Sequence, residues 1–252
     1  MRCLILACLA ASLAVPSLAL GGSSGNPAST VGRENFGASV ELESQIKNVD
    51  EVPASSTRYL VKLIWGAADR LDLYAKLGAS DLQVDAPGAQ DYDGKRGMTW
   101  GGGARLAVYE LPEYSISSYA DLQFISFFTD GVVWRSGEED AYLEKFDDRY
   151  KWNEWQASFI AVWNHQVFSP YLGLGLTGAS GNVTKDVYWV TGTEQTYKGG
   201  CNQEFETGVV PELIVGMDFG LGGTGTLSGE IRYSDDGDIS FFVGASELLH
   251  LK

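Results

Sequence analysis

Several residue types are scarce in this chain, and each scarcity excludes something. Cysteine occurs three times in 252 residues, at positions 3, 8 and 201. That is too few for a disulfide framework, and no CxxC pair offers zinc-ligand spacing. Histidine occurs twice, as His165 and His250. Neither stands beside a nucleophilic Ser or Cys together with an orienting acid, so a triad has little support. Basic residues number 18 against 33 acidic ones, for a net charge of −15. A nucleic-acid binder needs a basic stripe to displace counterions, and none is present. Proline is low at 7 while glycine reaches 31, with aromatics at 12%. That balance favours strands and tight turns over helices. After residue 20 no apolar run approaches the roughly 20 residues of a spanning helix. No P-loop or GxGxxG is present, so no cofactor is expected; Gly101-Gly102-Gly103 falls inside a strand and reads as close packing in a wall.

The first residues form an export signal. Met1-Arg2 is a short positive start, an apolar run extends to about Val15, and Ser17-Leu18-Ala19 supplies small residues before a cut. Residues 1–19 therefore read as a cleaved signal peptide. A lipoprotein signal at Ile5-Leu6-Ala7-Cys8 leaves too short an apolar stretch. Residues 20–35 are small, polar and rich in Gly and Ser, and read as a flexible periplasmic entry segment. Residues 36–252 form the remaining domain.

From Phe36 onward the period is two. Phe36, Ala38, Val40 and Leu42 share a face, opposed by Ser39, Glu41 and Glu43. Tyr59, Val61, Leu63 and Trp65 follow, with Lys62 opposite; then Leu71, Leu73, Ala75 and Leu77 against Asp72, Tyr74 and Lys76. Trp100, Ala104, Leu106 and Val108 oppose Arg105 and Tyr109, and Ala120, Leu122, Phe124 and Phe128 oppose Asp121 and Gln123. Trp155, Phe159 and Trp163 oppose Glu154 and Gln156; Leu172, Leu174 and Leu176 oppose glycines. Leu213, Val215 and Phe219 oppose Glu212 and Asp218, Ile231 and Tyr233 oppose Glu230 and Arg232, and Ile239, Phe241 and Val243 close the series. Alternation over ten segments is a strong β signal.

The connections alternate as well. Short ones at 68–70, 111–114, 165–167 and 221–224 interleave with long polar ones at 48–57, 82–97, 130–150 and 179–206, while the last, around 234–238, is short. This rhythm suits an antiparallel up-and-down transmembrane β-barrel of about ten strands, with eight or twelve as alternatives. In a bilayer every backbone polar group must be paired internally, and a closed barrel does this. Apolar faces then look out to lipid and polar faces into the lumen. Tyr59, Trp65, Trp100, Trp152, Trp155, Trp163 and Tyr233 lie toward segment ends, where aromatic girdles belong. A soluble lipocalin-like barrel with its apolar faces turned inward is the competing architecture.

Signal, strands such as LDLYAKLGAS and YLGLGLTGAS, and loop asymmetry together resemble a small bacterial outer-membrane β-barrel protein, of the opacity-adhesin and small-porin type. The resemblance covers about residues 36–251 and rests on pattern rather than on a short motif. It implies location in the cell outer membrane, contact with outer-membrane lipids and recognition by the barrel-assembly machinery. It names neither an extracellular ligand nor an oligomeric state. Such barrels usually end in Phe or Trp, whereas this chain ends Leu251-Lys252. Barrel enzymes of that membrane share the architecture, but their His-dependent site has no match here.

Two charged sets are candidate sites. Inward, Glu41, Glu43, Asp72, Asp121, Glu154, Glu212, Asp218 and Glu230 face Lys76, Arg105 and Arg232. With eight acids for three bases, this reads either as a hydrated plug of salt bridges or as a narrow cation-preferring path. Outward, Glu138, Glu139, Asp140, Glu144, Asp147 and Asp148 crowd one loop. Their spacing matches no EF-hand, so the expectation is a solvated acidic rim with no bound metal, with calcium held by loosely clustered carboxylates as the alternative. The function expected is non-enzymatic: structural, adhesive or weakly pore-forming, with a cation-preferring diffusion porin as the alternative.

Overall fold

The computed structural model describes residues 31–49, 52–84, 92–136, 143–165, 167–191, 193–221 and 225–249. Eleven strands account for nearly all of them: β1 (Phe36–Val49), β2 (Val52–Ala68), β3 (Leu71–Val84), β4 (Tyr92–Leu111), β5 (Ile116–Ser136), β6 (Leu143–Trp163), β7 (Phe168–Thr191), β8 (Glu194–Glu206), β9 (Val210–Gly220), β10 (Gly225–Ser234) and β11 (Ile239–Leu249). All pairings are antiparallel. β1 pairs with β2 on one side and with β11 on the other, from Phe36↔Leu249 to Ile46↔Ile239, so the sheet closes on itself.

Ten strand positions make the ring. β9 pairs with the first half of β7 (Phe168↔Phe219 to Thr177↔Val210) and β8 with the second half (Ser180↔Glu206 to Thr191↔Glu194). β8 and β9 therefore lie end to end along one neighbour. At the break, Thr207 N–H donates to the Ala179 carbonyl at 2.8 Å, and Ala179 N–H donates to Thr207 Oγ1 at 2.7 Å.

The apolar stripes face outward. Leu63, Leu77, Leu106, Leu122, Phe159, Leu172, Leu174, Val215 and Ile231 are all at least 46% exposed, a belt that water would not tolerate and lipid does. A lipocalin-like arrangement would bury these side chains. Among the girdle candidates, Trp65, Trp100, Trp155, Trp163 and Tyr233 face outward, but Trp152 is 3% exposed. It sits at an even position on β6, where side chains turn inward, and stacks on Phe127 with ring centroids 6.0 Å apart.

The strands are longer than the spacing of apolar residues predicts. β4 to β7 run 20, 21, 21 and 24 residues. About 10 residues cross a bilayer. Much of the chain read as polar loops at 82–97, 130–150 and 179–206 is therefore strand that continues past the belt. Its polarity inverts there. On β6 the outward side chains change from Trp163, Phe159 and Trp155 to Lys151, Arg149 and Lys145, while the inward ones become Trp152, Tyr150 and Phe146. Above the belt the outside is wet, so the same period of two turns inside out.

Two local features adjust the wall. A bulge between Ala107 and Tyr109 leaves both Val108 and Tyr109 outward, at 42% and 59% exposed, so Tyr109 does not share a face with Arg105. Inside, the Tyr74 ring lies over Gly103, where an added Cβ would come within 2.4 Å of the phenol oxygen.

Candidate functional site: the lumen and the outer wall

The inward side chains change character along the barrel axis. On β5 they run Tyr119, Asp121, Gln123, Ile125, Phe127; on β6, from the short-turn end, Val162, Ile160, Ser158, Gln156, Glu154, Trp152. A polar section is thus flanked by apolar side chains at both ends. The lower group is Ala107, Tyr119, Ile160, Val162, Tyr171 and Ile214. The upper group includes Leu82, Tyr92, Ile125, Phe127, Val133 and Trp152, with Phe205 of β8 packed on Trp152 at a centroid distance of 5.2 Å.

The structure places all eleven inward candidates in the interior, each 6% exposed or less. They fall into connected groups. Lys76 Nζ lies 2.9 Å from Glu41 and 2.8 Å from Glu43. Arg105 Nε donates to Asp121 Oδ2 at 3.1 Å, and Tyr74 donates to the other oxygen at 2.7 Å. Arg232 Nε donates to Glu230 at 2.6 Å and Nη1 to Glu212 at 3.2 Å. Gln156 donates to the same Glu212 oxygen at 2.6 Å and itself accepts from Gln123. Tyr171 closes this chain by donating to Glu230 at 3.1 Å. Asp72 differs: its carboxylate accepts the backbone N–H of Val31, at 3.1 and 3.3 Å.

Three bases were missed. Lys47, Arg58 and Lys62 are inward and at most 3% exposed. Arg58 Nη2 donates to Glu154 at 2.7 Å, Lys47 lies 3.2 Å from the other oxygen of that carboxylate, and Lys62 stands 3.7 Å from Glu41 and 4.1 Å above the Tyr74 ring. The eight carboxylates are thus met by six bases rather than three. Lys62 was legible from its place opposite Val61 and Leu63. Lys47 lies beyond Ser44, which interrupts its apolar stripe, and Arg58 beyond Tyr59, the end of its own, so the alternation is broken around both.

The acidic candidates divide. Glu138, Glu139 and Asp140 lie outside the described residues. Glu144, Asp147 and Asp148 are on β6 rather than in a loop. Asp147 pairs with Lys145 at 2.9 Å on the outside, whereas Asp148 points inward, 4% exposed, with Lys185 at 3.7 Å. Alternation on a strand separates neighbours that a loop would bring together. Among the described residues no three His, Cys, Asp or Glu converge as metal ligands would. A groove of about 350 Å³ on this wall is bordered by Lys95, Asp130, Asp147, Arg149, Asp186 and Tyr188, and Arg149 pairs with Asp186 at 2.6 Å. Higher up, Tyr188 meets Tyr197 edge-on at 5.4 Å, and Lys198 Nζ stands 3.5 Å above the Trp189 ring.

No protein-family model matches the chain, and no curated protein does. Solved structures similar to it include the translocator domain of the autotransporter NalP from Neisseria meningitidis, at 10% identity and TM-score 0.46 over 98% of this chain and 94% of that one. The outer-membrane protein OprG from Pseudomonas aeruginosa gives 8% identity and TM-score 0.39 over 88% of this chain and all of that one. The attachment invasion locus protein Ail of Yersinia pestis gives 13% and 0.32 over 86% and 99%. The ring closure, the outward apolar belt and the polar lumen stand on this chain's own geometry: it is a small antiparallel β-barrel of the outer-membrane type.

Proposed function

We propose that the protein is a non-enzymatic integral outer-membrane barrel whose working surface is the wall beyond the membrane, in a structural or adhesive role, and whose lumen does not conduct. The observation that carries this is the filled interior. An ion-paired section runs between Asp121 and Glu154, and apolar side chains flank it above and below. A ten-stranded ring is narrow enough for side chains to fill it. Breaking a water path through it requires no extra domain. Export through the signal at residues 1–19 and insertion by the barrel-assembly machinery belong to the same proposal.

Planar-bilayer recording of the purified protein tests it. The expected trace is silent apart from rare, small openings. Large, stable, cation-selective steps would overturn it in favour of the diffusion porin, a reading favoured by the carboxylates that still outnumber bases inside. The adhesive half is tested separately. Cells displaying the protein should lose surface binding when Tyr188, Trp189 and Tyr197 are replaced together by Ser, with barrel insertion unchanged. These aromatics stand at the top of the wall, Trp189 at 37% and Tyr197 at 57% exposed, and exposed aromatics of this kind serve as contact anchors. Binding unaffected by the triple replacement would remove that part of the proposal.

A further inference from the structure

At the short-turn mouth, residues 31–35 fold back on the barrel before β1 begins. Gly32 and Glu34 both take positive φ, +78° and +63°, which turns the chain sharply. Asn35 N–H closes that turn on the Gly32 carbonyl at 3.2 Å. Two backbone bonds then fasten it to the end of β2: Glu34 N–H to the Gly66 carbonyl at 2.8 Å, and Gly66 N–H to the Asn35 carbonyl at 3.0 Å. Gly66 has to be glycine for this, since an added Cβ would fall 1.8 Å from the Gly32 carbonyl oxygen. Val31, an apolar residue in a polar stretch, is 7% exposed, and its N–H donates to both oxygens of Asp72.

Asp72 is the second residue of β3, faces inward and is 2% exposed. Arg105 stands directly across from it on β4 and attracts it, while the Arg105 guanidinium is hydrogen-bonded to Asp121. Glu41, Glu43, Asp121, Glu154, Glu212 and Glu230 each meet a Lys or Arg side chain. Asp72 holds a backbone amide of the N-terminal segment. A buried carboxylate gains charge-assisted hydrogen bonds this way, and the segment gains a fixed seat.

We infer that residues 31–35 are a latch over the short-turn mouth, with the Asp72 carboxylate as its catch. Release of the latch gives small cations access to the inward carboxylates nearest this mouth, Asp72 near the start of β3 and Asp218 near the end of β9. The test reads the position of the latch directly, and so is separate from whether the lumen conducts.

The experiment uses the full chain with Cys3→Ala, Cys8→Ala and Cys201→Ser, carrying a single cysteine at Val31 or at Ser117, an 8%-exposed lumenal position just inside the mouth. A small cationic thiosulfonate reagent is the probe. With Asp72 intact both cysteines should react slowly. With Asp72→Ala both should react about tenfold faster, the scale expected when hydrogen bonds to a charged group are lost. Equal rates at residue 31 with and without Asp72 would overturn the latch. A faster rate at residue 31 with no change at 117 would overturn its control of access. Should Asp72→Ala fail to insert, Gly66→Ala decides, with Gly229→Ala as control, where the nearest atom to an added Cβ is 3.9 Å away. Gly66→Ala should raise both rates and Gly229→Ala neither; slow labelling in Gly66→Ala would overturn the latch.

Discussion

Lys76 is the residue on which the interior balance turns. Its ammonium touches Glu41 and Glu43 at once, with all three side chains fully buried. Lys76→Met would bring two carboxylates face to face with their shared cation gone, although Lys62 and Arg58 still stand 3.7 Å away. Removing one member of a buried pair costs roughly 3–5 kcal/mol, and the remaining bases reduce that here. The variant should insert and show a clearly lower transition in heat-modifiable gel migration. An unchanged transition would mean that the pair is hydrated and carries little stability. Gly103→Ala is a second residue-scale prediction. A methyl group there meets the Tyr74 phenol, which is itself fastened to Asp121, so the ring has nowhere to swing. Overpacking of this sort costs about 1–3 kcal/mol and should show in the same assay.

At the scale of elements, β4 offers a test of register. Labelled cysteines at 104 to 109 on a Cys3→Ala, Cys8→Ala, Cys201→Ser background should be quenched by brominated lipid at 104, 106, 108 and 109, and protected at 105 and 107. The adjacent pair 108–109 reports the bulge; strict alternation through 109 would show that the bulge is absent. This strand also shows where sequence reading succeeds and fails. Leu106 against Arg105 is unambiguous, because lipid on one side and charge on the other enforce opposite chemistries. Tyr109 departs from the alternation because an extra residue in a strand leaves no trace in composition. On β1 and β2, Lys47 and Arg58 escape the alternation because the polar Ser44 and Thr57 interrupt the apolar faces beside them. Asp147 and Asp148, neighbours in an acidic run, face opposite sides of β6 rather than sharing a loop. β8 was not legible at all: nearly every residue in it is exposed, so no face imposes a pattern on EQTYKGGCNQEFE.

For the whole molecule, the ring and the tall wall are separable. The membrane section closes through β1 to β7 and β9 to β11 without help from β8. Replacing residues 182–204 by a short turn should therefore leave insertion and ring closure intact. It should lower thermal stability, since Val183 and the packing around Phe205 in the upper apolar group are lost or loosened. Failure to insert would show instead that the ribbon takes part in assembly.

The unequal strand lengths have a consequence of their own. β4 to β8 rise past the membrane, while β10 and β11 turn back at Ser234–Ile239, level with Pro211 and Glu212 at the outer end of β9. The molecule therefore has a compass bearing in the plane of the membrane. A neighbour arriving from the β10–β11 side meets open water above the lipid; one arriving from the β5–β6 side meets a charged parapet. Rotation about the membrane normal changes what the protein presents, and Cys201, exposed on β8, is a natural place to attach the marker that reads that heading.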